Sequence, residues 1–265
     1  AIASHGHTVF HEPGSSFTTQ IGSGAHIAAI TKTDTIIDFR QADVANGGQG
    51  APFAPIADRD LFSGYDGFLN LGGIANVSIK TSETTWKAWD ICPCNQALNF
   101  LANKEGKSFD QNGSMAAEGK IVNEIVESLI DFYPVPSNHI SSLSNANVQN
   151  TWIAYLESRK ESTFDLLASV TEAVTRLIVT HLEKVEGQKK ILVTGGGAHN
   201  AFLMQVLAAK GMEKNLLFEK PENMIIDHKE GLLMAYLGYL TLNGLPYPIK
   251  SITGARHDSI GGAIY

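Results

Sequence analysis

Trp86-Lys87-Ala88-Trp89-Asp90-Ile91-Cys92-Pro93-Cys94-Asn95-Gln96-Ala97 reads as a strand that ends on a carboxylate, a proline-containing turn and the start of a helix. Upstream, Phe68-Leu69-Asn70-Leu71-Gly72-Gly73-Ile74-Ala75-Asn76-Val77-Ser78-Ile79 places an apolar run, a glycine pair and a second run in which Val77 and Ile79 alternate with polar neighbours. That pattern predicts a β-hairpin. A glycine turn lets backbone N–H groups close on an anion, because no Cβ stands in the way. A carboxylate at the end of the next strand would face whatever the turn holds. An anion cradle beside an acid–base carboxylate is the pairing that phosphoryl transfer to a hydroxyl requires. Taken singly, each feature has a plainer reading: most Gly-Gly hairpins are only turns, and most strand-end aspartates only caps.

Toward the N-terminus, residues 8–11 and 17–21 predict short strands around Pro13-Gly14-Ser15-Ser16. Residues 25–31 predict a short helix, and Thr35-Ile36-Ile37-Asp38-Phe39 a buried strand. Arg40 and Asp43 then lead into Asn46-Gly47-Gly48-Gln49-Gly50-Ala51-Pro52, too rich in glycine and proline for a regular element. Such a loop is either a linker or a ligand-facing edge. A domain boundary is expected near residues 62–67, giving a partial N-terminal lobe over 1–65 and a C-terminal lobe over 66–265.

Toward the C-terminus, Asn95 to Asn103 predicts a helix closed near Gly106, and Phe109-Asp110-Gln111-Asn112-Gly113 a turn. Ile121, Val122, Ile125, Leu129 and Ile130 predict a long amphipathic helix. Residues 133–151, with Pro134, Pro136 and many Ser and Asn, read as a surface connection without chemistry. Residues 164–185 give the clearest helix, on which His181 reads as a partly buried residue rather than a ligand. Lys190-Ile191-Leu192-Val193-Thr194 is a buried strand that enters Gly195-Gly196-Gly197 and a helix from about Asn200 to Ala209. Strand, glycine turn and helix is a layout that brings backbone to a nucleotide, although the spacing is not the dinucleotide fingerprint. Leu216-Leu217-Phe218 is a further short strand. Residues 229–242 predict a last helix with Glu230 at its start, where favouring the helix dipole competes with a ligand contact as its role.

With 265 residues, 43% hydrophobic and 18% charged, the chain fits one or two ordinary globular domains. A net charge of −7 without a basic stripe argues against nucleic acid. Cys92 and Cys94 are too close for a relaxed mutual bridge, and a reducing cytoplasm is the simpler setting. No run reaches membrane-spanning length, no metal ligand set is recognisable, and the opening Ala1-Ile2-Ala3 reads as a strand already under way, so a fragment is expected.

The chain resembles the anhydro-N-acetylmuramic acid kinase family, within the actin/hexokinase/Hsp70-like ATPase superfamily. The resemblance rests on Leu69 to Asn76 and Asp90 to Asn95, together with four stretches in the same order. These are Ser4-His5-Gly6-His7-Thr8, then Asp38-Phe39-Arg40 through Asp43 to Pro52, then Gly195-Gly196-Gly197-Ala198 to Asn200, and Glu230-Gly231. It implies an α/β, ribonuclease H-like, actin/hexokinase-type two-lobe fold whose first lobe is incomplete here. It also implies a cytoplasmic kinase of peptidoglycan recycling that uses ATP and Mg2+ to open and phosphorylate 1,6-anhydro-N-acetylmuramic acid. Asp90 matches the catalytic base. Glu230, Arg40, Asp43, His5 and Asn95 fall at the sugar. Gly72, Gly73, Asn76, Gly195, Gly196, Gly197 and Asn200 fall at the nucleotide. The partners implied are the sugar and ATP, with a homodimer left open and neither nucleic acid nor membrane.

Three departures from the family pattern stand out. Ile91-Cys92-Pro93-Cys94 replaces a glycine-rich turn after the aspartate, which Cys tolerates only at negative φ. His7 stands where glutamine is usual. The family's opening Gly-Thr-Ser-x-Asp-Gly loop has no counterpart in these residues. The alternative reading is therefore a non-catalytic sugar- or nucleotide-binding remnant of such a kinase.

Overall fold

In the computed structural model, residues 1–81, 86–134, 143–183 and 189–265 are described. The first elements are β1 (Ile2–Ala3), β2 (His7–Glu12), β3 (Phe17–Ile21), α1 (Gly24–Thr31), β4 (Thr35–Ile37), α2 (Gln41–Ala45) and α3 (Ala54–Leu61). The hairpin follows as β5 (Gly67–Leu71) and β6 (Ile74–Lys80), then β7 (Trp86–Pro93) and α4 (Asn95–Lys104). Helices α5 (Ser114–Glu118), α6 (Asn123–Asp131), α7 (Asn145–Val148), α8 (Ala154–Glu157) and α9 (Thr163–Leu182) come next. Then follow β8 (Lys189–Thr194), α10 (Ala201–Met212), β9 (Leu216–Glu219), α11 (Asn223–Leu242), α12 (Lys250–Thr253) and β10 (Ala263–Ile264). Two compact units result: Gly64–Asp227, and Ala1–Ser63 together with His228–Tyr265.

The unit Gly64–Asp227 is built on a five-stranded sheet of order β7-β6-β5-β8-β9, in which β6 alone runs against the others. Counted along the chain, that is order 3-2-1-4-5 with the second strand reversed, the ribonuclease H-like arrangement. Alternation fixes its faces. Leu69, Val77, Trp89 and Val193 are register partners and point into one core with Leu98 and Leu101 of α4 and Leu167, Val170 and Val174 of α9. His181 is a buried residue of α9, and its Nδ1 accepts from Trp89 Nε1 at 3.0 Å.

Several elements depart from expectation. The proline-containing turn after Asp90 does not form: β7 continues through Cys92 to Pro93, which pairs with Ile74. Because β7 is an edge strand, a residue without an N–H is tolerated at its end. Neither Cys92 nor Cys94 takes a positive φ, so the glycines of the family turn are not needed for this backbone. The long amphipathic helix is split. It is interrupted at Gly119, where a Cβ would run into the Phe164 carbonyl, and Ile121 lies exposed between α5 and α6. Within the stretch read as a surface connection, residues 135–142 lie outside the described residues. Residues 145–157 are helical, with a π-helical turn at Gln149–Ile153, and bury Val148, Trp152 and Leu156. Trp152 Nε1 donates to the Leu129 carbonyl at 2.9 Å, which anchors this segment to α6.

In the other unit, β4 lies between β1, parallel to it, and β10, antiparallel to it, while β2 and β3 form a separate two-stranded ribbon. Its core comprises Ile36, Phe39, Phe53, Ile56, Leu237, Leu240, Tyr247 and Ile249. The sequence-based partition put residues 228–265 with the second lobe. Here β10 completes the β4 sheet and α11 supplies Leu237 and Leu240 to the core formed with residues 36–56. Helix α11 starts at Asn223, so Glu230 is well past its first turn and the dipole has little hold on it. No helix among the described residues is long and apolar enough to cross a membrane.

Candidate active site

The hairpin turn and the start of α4 are one construction. Helix α4 has no side-chain N-cap; its leading N–H groups need acceptors from elsewhere. The glycine turn provides them: Cys94 and Gln96 donate to the Gly73 carbonyl at 2.9 and 3.2 Å, and Asn95 to the Gly72 carbonyl at 3.1 Å. With those carbonyls committed to the helix, the N–H groups are what the turn has left to offer.

The second glycine turn lies against the first. A Cβ on Gly195 would collide with the Asn70 side-chain oxygen and come within 2.8 Å of the Leu71 carbonyl. One on Gly197 would stand 2.7 Å from Leu71 Cβ. Asn95 ties the two together: its Nδ2 donates to the Leu71 carbonyl at 2.9 Å, and its Oδ1 borders Gly197. Asn200 caps α10, accepting from the Leu203 N–H at 2.9 Å. At Gly195 and Gly197, a side chain larger than hydrogen would meet the Leu71 backbone, so the second turn seats directly on the end of β5.

Asp90 belongs to the same face. The pairing Ala75 with Cys92 and Asn76 with Asp90 leaves Ile91 as an extra residue, a β-bulge of the kind that re-aims side chains beside active sites. Across the sheet, Asp90 lies opposite Asn76, Asn76 opposite Asn70, and Asn70 opposite Thr194. Directly opposed residues share a face, so a polar row runs over four strands, on the side away from the core. Neither Asn70 nor Thr194 stands out in the sequence; the only sign is a polar residue interrupting Phe68-Leu69-Asn70-Leu71. Asp90 is half-buried. The Leu143 N–H donates to its Oδ2 at 2.8 Å, and Oδ1 has no partner among the described residues. Burial pushes the Asp90 carboxyl above the ordinary aspartate range, with the Leu143 N–H opposing part of that rise. Cys92 and Cys94 behind it are fully buried, and burial pushes the Cys94 thiol up to about 12.

The other unit holds the remaining expected residues. Arg40 Nε donates to His5 Nε2 at 2.9 Å, so the His5 ring carries its proton on Nδ1, from which it donates to the Gly6 carbonyl at 3.0 Å. Asp43 is buried: Oδ2 accepts from the Gly50 N–H at 2.7 Å and Oδ1 from the Thr253 hydroxyl at 2.8 Å. That carboxylate clamps the Gly47–Gly50 loop and is spent on it. Glu230 is exposed on α11 and makes no hydrogen bond or ion pair with the described residues. Among the described residues, no group of three or more His, Cys, Asp or Glu side chains is placed to hold a metal ion.

Comparison with known proteins agrees over the whole chain. The family model described as anhydro-N-acetylmuramic acid kinase matches residues 1–265. Anhydro-N-acetylmuramic acid kinase of Aliivibrio fischeri is 34% identical over 278 residues, covering 100% of this chain and 75% of the relative. That of Legionella pneumophila (strain Paris) is 31% identical over 277 residues, covering 100% of this chain and 74% of the relative. Among solved structures, the Acidaminococcus fermentans (R)-2-hydroxyglutaryl-CoA dehydratase component A aligns at 15% identity and a TM-score of 0.44, over 84% of this chain and 76% of that one. By its family match and by curated relatives that align along all of it, this chain belongs to the anhydro-N-acetylmuramic acid kinase family.

Proposed function

We propose that the protein is an ATP-dependent kinase that opens 1,6-anhydro-N-acetylmuramic acid by water and phosphorylates the oxygen freed from the 1,6-bridge, with Asp90 as general base. The observation that carries this reading is the state of Asp90: held through one oxygen by the Leu143 N–H, its other oxygen without a partner among the described residues, and aligned with Asn76 and Asn70 beside two glycine turns. That second oxygen takes a proton from water as the water's oxygen bonds to the anomeric carbon. The bond from that carbon to the bridging oxygen breaks, and the bridging oxygen receives the phosphoryl group. A carboxylate with a raised proton affinity suits that task better than a free one.

The remaining residues position the reactants. Glu230, Arg40 and His5 contact the sugar, and Asp43 holds the loop that frames it. Gly72 and Gly73 with Asn76, and Gly195 to Gly197 with Asn200, receive the nucleotide. The support lies in the close packing of Gly195 and Gly197 on Asn70 and Leu71, which seats one glycine turn against the other and leaves Gly196 exposed between them. When bound, ATP supplies the phosphoryl group and Mg2+ offsets the charge on its phosphates. Magnesium is commonly held by phosphates and one or two protein oxygens, so no cage of side chains is required. We place the reaction in the cytoplasm, in peptidoglycan recycling.

The test is Asp90→Asn in the full-length protein, assayed as ADP release and formation of the sugar 6-phosphate. Turnover is expected to fall by about two to four orders of magnitude, with sugar and ATP binding retained, because general-base catalysis contributes that much. A near-normal rate would remove Asp90 from the role. Glu230→Gln is expected to raise KM more than it lowers kcat.

A further inference from the structure

A chain of hydrogen bonds leads from the Gly72–Gly73 turn to Asp90, and Gln96 is the first side chain in it. Gln96 is the second residue of α4, with its backbone N–H committed to the Gly73 carbonyl at 3.2 Å. Its side chain lies on the same glycine: a Cβ at Gly73 would stand 3.1 Å from Gln96 Cγ and 3.1 Å from its Nε2. From there Nε2 donates to Asn145 Oδ1 at 2.9 Å. Asn145 opens α7, whose N-cap Ser144 exchanges hydrogen bonds with Asn147. The Asn147 N–H donates to Ser144 Oγ at 3.2 Å and the Ser144 N–H to Asn147 Oδ1 at 2.9 Å. That capping box fixes residues 144–147 as one turn. The residue entering it is Leu143, whose N–H donates to Asp90 Oδ2 at 2.8 Å. Among the described residues, the Gln96–Asn145 and Leu143–Asp90 bonds are the two hydrogen bonds between this turn and the β7–α4 corner. The groups facing Asp90 are neutral. Asn76 and Asn70 lie across the sheet, Gln96 on α4 and Asn145 on α7 carry amides, and burial pushes the Cys92 thiol well above its usual range, so it stays protonated. Burial raises the Asp90 carboxyl and the Leu143 N–H lowers it, so that N–H is what favours the ionised form.

We infer that Gln96 is a positioning residue for Asp90: through Asn145 it holds the Leu143 N–H against one carboxylate oxygen, and so ties the aim of the other oxygen to the Gly72–Gly73 turn. The inference rests on the function proposed above, in which Asp90 is the base, and adds to it the side chain that aims the base. A pair of neutral amides suits the task, because its strength does not change when Asp90 gains or loses a proton. Gln96 touches no reacting atom on this reading; it acts through Asn145 and Leu143.

The experiment uses the full-length protein with Gln96→Leu, which keeps a stem on Gly73 and removes the donor, and with Asn145→Ala, which removes the acceptor. Without the tie the Leu143 N–H leaves Asp90, the ionised form loses its donor, and the carboxyl holds its proton to higher pH. The acid limb of kcat/KM for the anhydro sugar is therefore expected to move to higher pH in both variants. At a fixed pH on that limb kcat/KM should fall about 2- to 10-fold below the unmodified protein, the worth of one hydrogen bond. The double variant should lose no more than the larger single one, because both changes remove the same bond. An unmoved limb in either variant, or losses that add in the double variant, would reduce the bond to surface packing and overturn the inference. A raised KM for ATP with an unmoved limb would assign Gln96 to the glycine turn alone, with the same result. The shift is also readable without turnover: the carboxyl 13C resonance of Asp90, identified by its loss in Asp90→Asn, should titrate at higher pH in both variants. If the unmodified protein phosphorylates no anhydro sugar and the resonance still moves, the proposed function fails and the link from Gln96 to Asp90 stands. If the sugar is turned over and the resonance does not move, the link fails alone. Should Gln96→Leu not fold, Asn145→Ala, at an exposed position, carries both readouts.

Discussion

Gly195→Ala and Gly196→Ala, adjacent and chemically identical changes, are expected to behave differently. Gly195 sits at φ 83° and ψ 166°, a region essentially closed to residues with a Cβ, and forcing alanine there costs about 1–3 kcal/mol. The methyl would also stand 2.8 Å from the Leu71 carbonyl and against Asn70, an overpacking that typically costs a further ~1–3 kcal/mol. The sum is about 2–6 kcal/mol against Gly64–Asp227, a large share of a domain's stability. At Gly196 the nearest atom to the new methyl is Asn95 Nδ2 at 3.5 Å, ordinary contact, and φ is not positive. That change should cost under about 0.5 kcal/mol. Urea unfolding followed by tryptophan fluorescence isolates the right unit, because Trp86, Trp89 and Trp152 all lie within Gly64–Asp227. A midpoint lowered by roughly 1–2 M is expected for Gly195→Ala and no measurable shift for Gly196→Ala. Gly196 is exposed on the turn, so its methyl should instead raise KM for ATP if the turn receives the nucleotide. A Gly195→Ala protein as stable as the unmodified one would refute the packing argument. A Gly196→Ala protein with unchanged KM for ATP would refute the nucleotide assignment of that turn.

Beside the loss of turnover in Asp90→Asn, the acid limb of kcat/KM is expected above the ordinary aspartate range. The base works only when deprotonated, burial raises its pKa, and activity is therefore lost earlier as pH falls; a limb at or below a free carboxylate's would contradict the burial. Asp43→Asn replaces one acceptor oxygen by a donor and forfeits a bond to Gly50 or Thr253, a loss of about 1.5–3 kcal/mol for a charged acceptor, measurable by chemical denaturation. Cys92 and Cys94 should resist a thiol reagent at neutral pH until the unit unfolds, since both are buried and the Cys94 thiol is pushed up to about 12. Rapid labelling of the native protein would show the β7–α4 corner to be open.

The hairpin, the strand before the glycine triplet and the helix after it were legible because each carries its own local signal: alternation, a Gly-Gly turn, an apolar run cut by glycines. The strand carrying Asp90 was legible up to that residue and not beyond, because Pro93 normally stops a strand and only the edge position of β7 lifts that rule. Helices at 145–157 were hidden because they follow a proline-, serine- and asparagine-rich run without a break in composition at their start, although Val148, Trp152, Ile153 and Leu156 all turn inward. The polar row could be foreseen for Asp90 and Asn76. Asn70 and Thr194 join it only through register, which no single strand specifies. Asp43 was placed with the sugar on its motif alone; that both its oxygens are occupied depends on Thr253, which lies 210 residues further along the chain.

The β4–β10 pairing carries a consequence for the order in which the protein can be made. Gly64–Asp227 is continuous in sequence, so a nascent chain holds everything that unit needs once about residue 227 has left the ribosome. The other unit is interrupted: Thr35–Ile37 must wait for Ala263 and Ile264, and Phe39 and Ile56 for Leu237 and Tyr247. Domains generally fold as units during synthesis, N-terminal first. Here that order is reversed: Thr35–Ile37 are translated before Gly64–Asp227 yet find their β10 partner after it, leaving β4 with one open flank until Ala263 and Ile264 have been made.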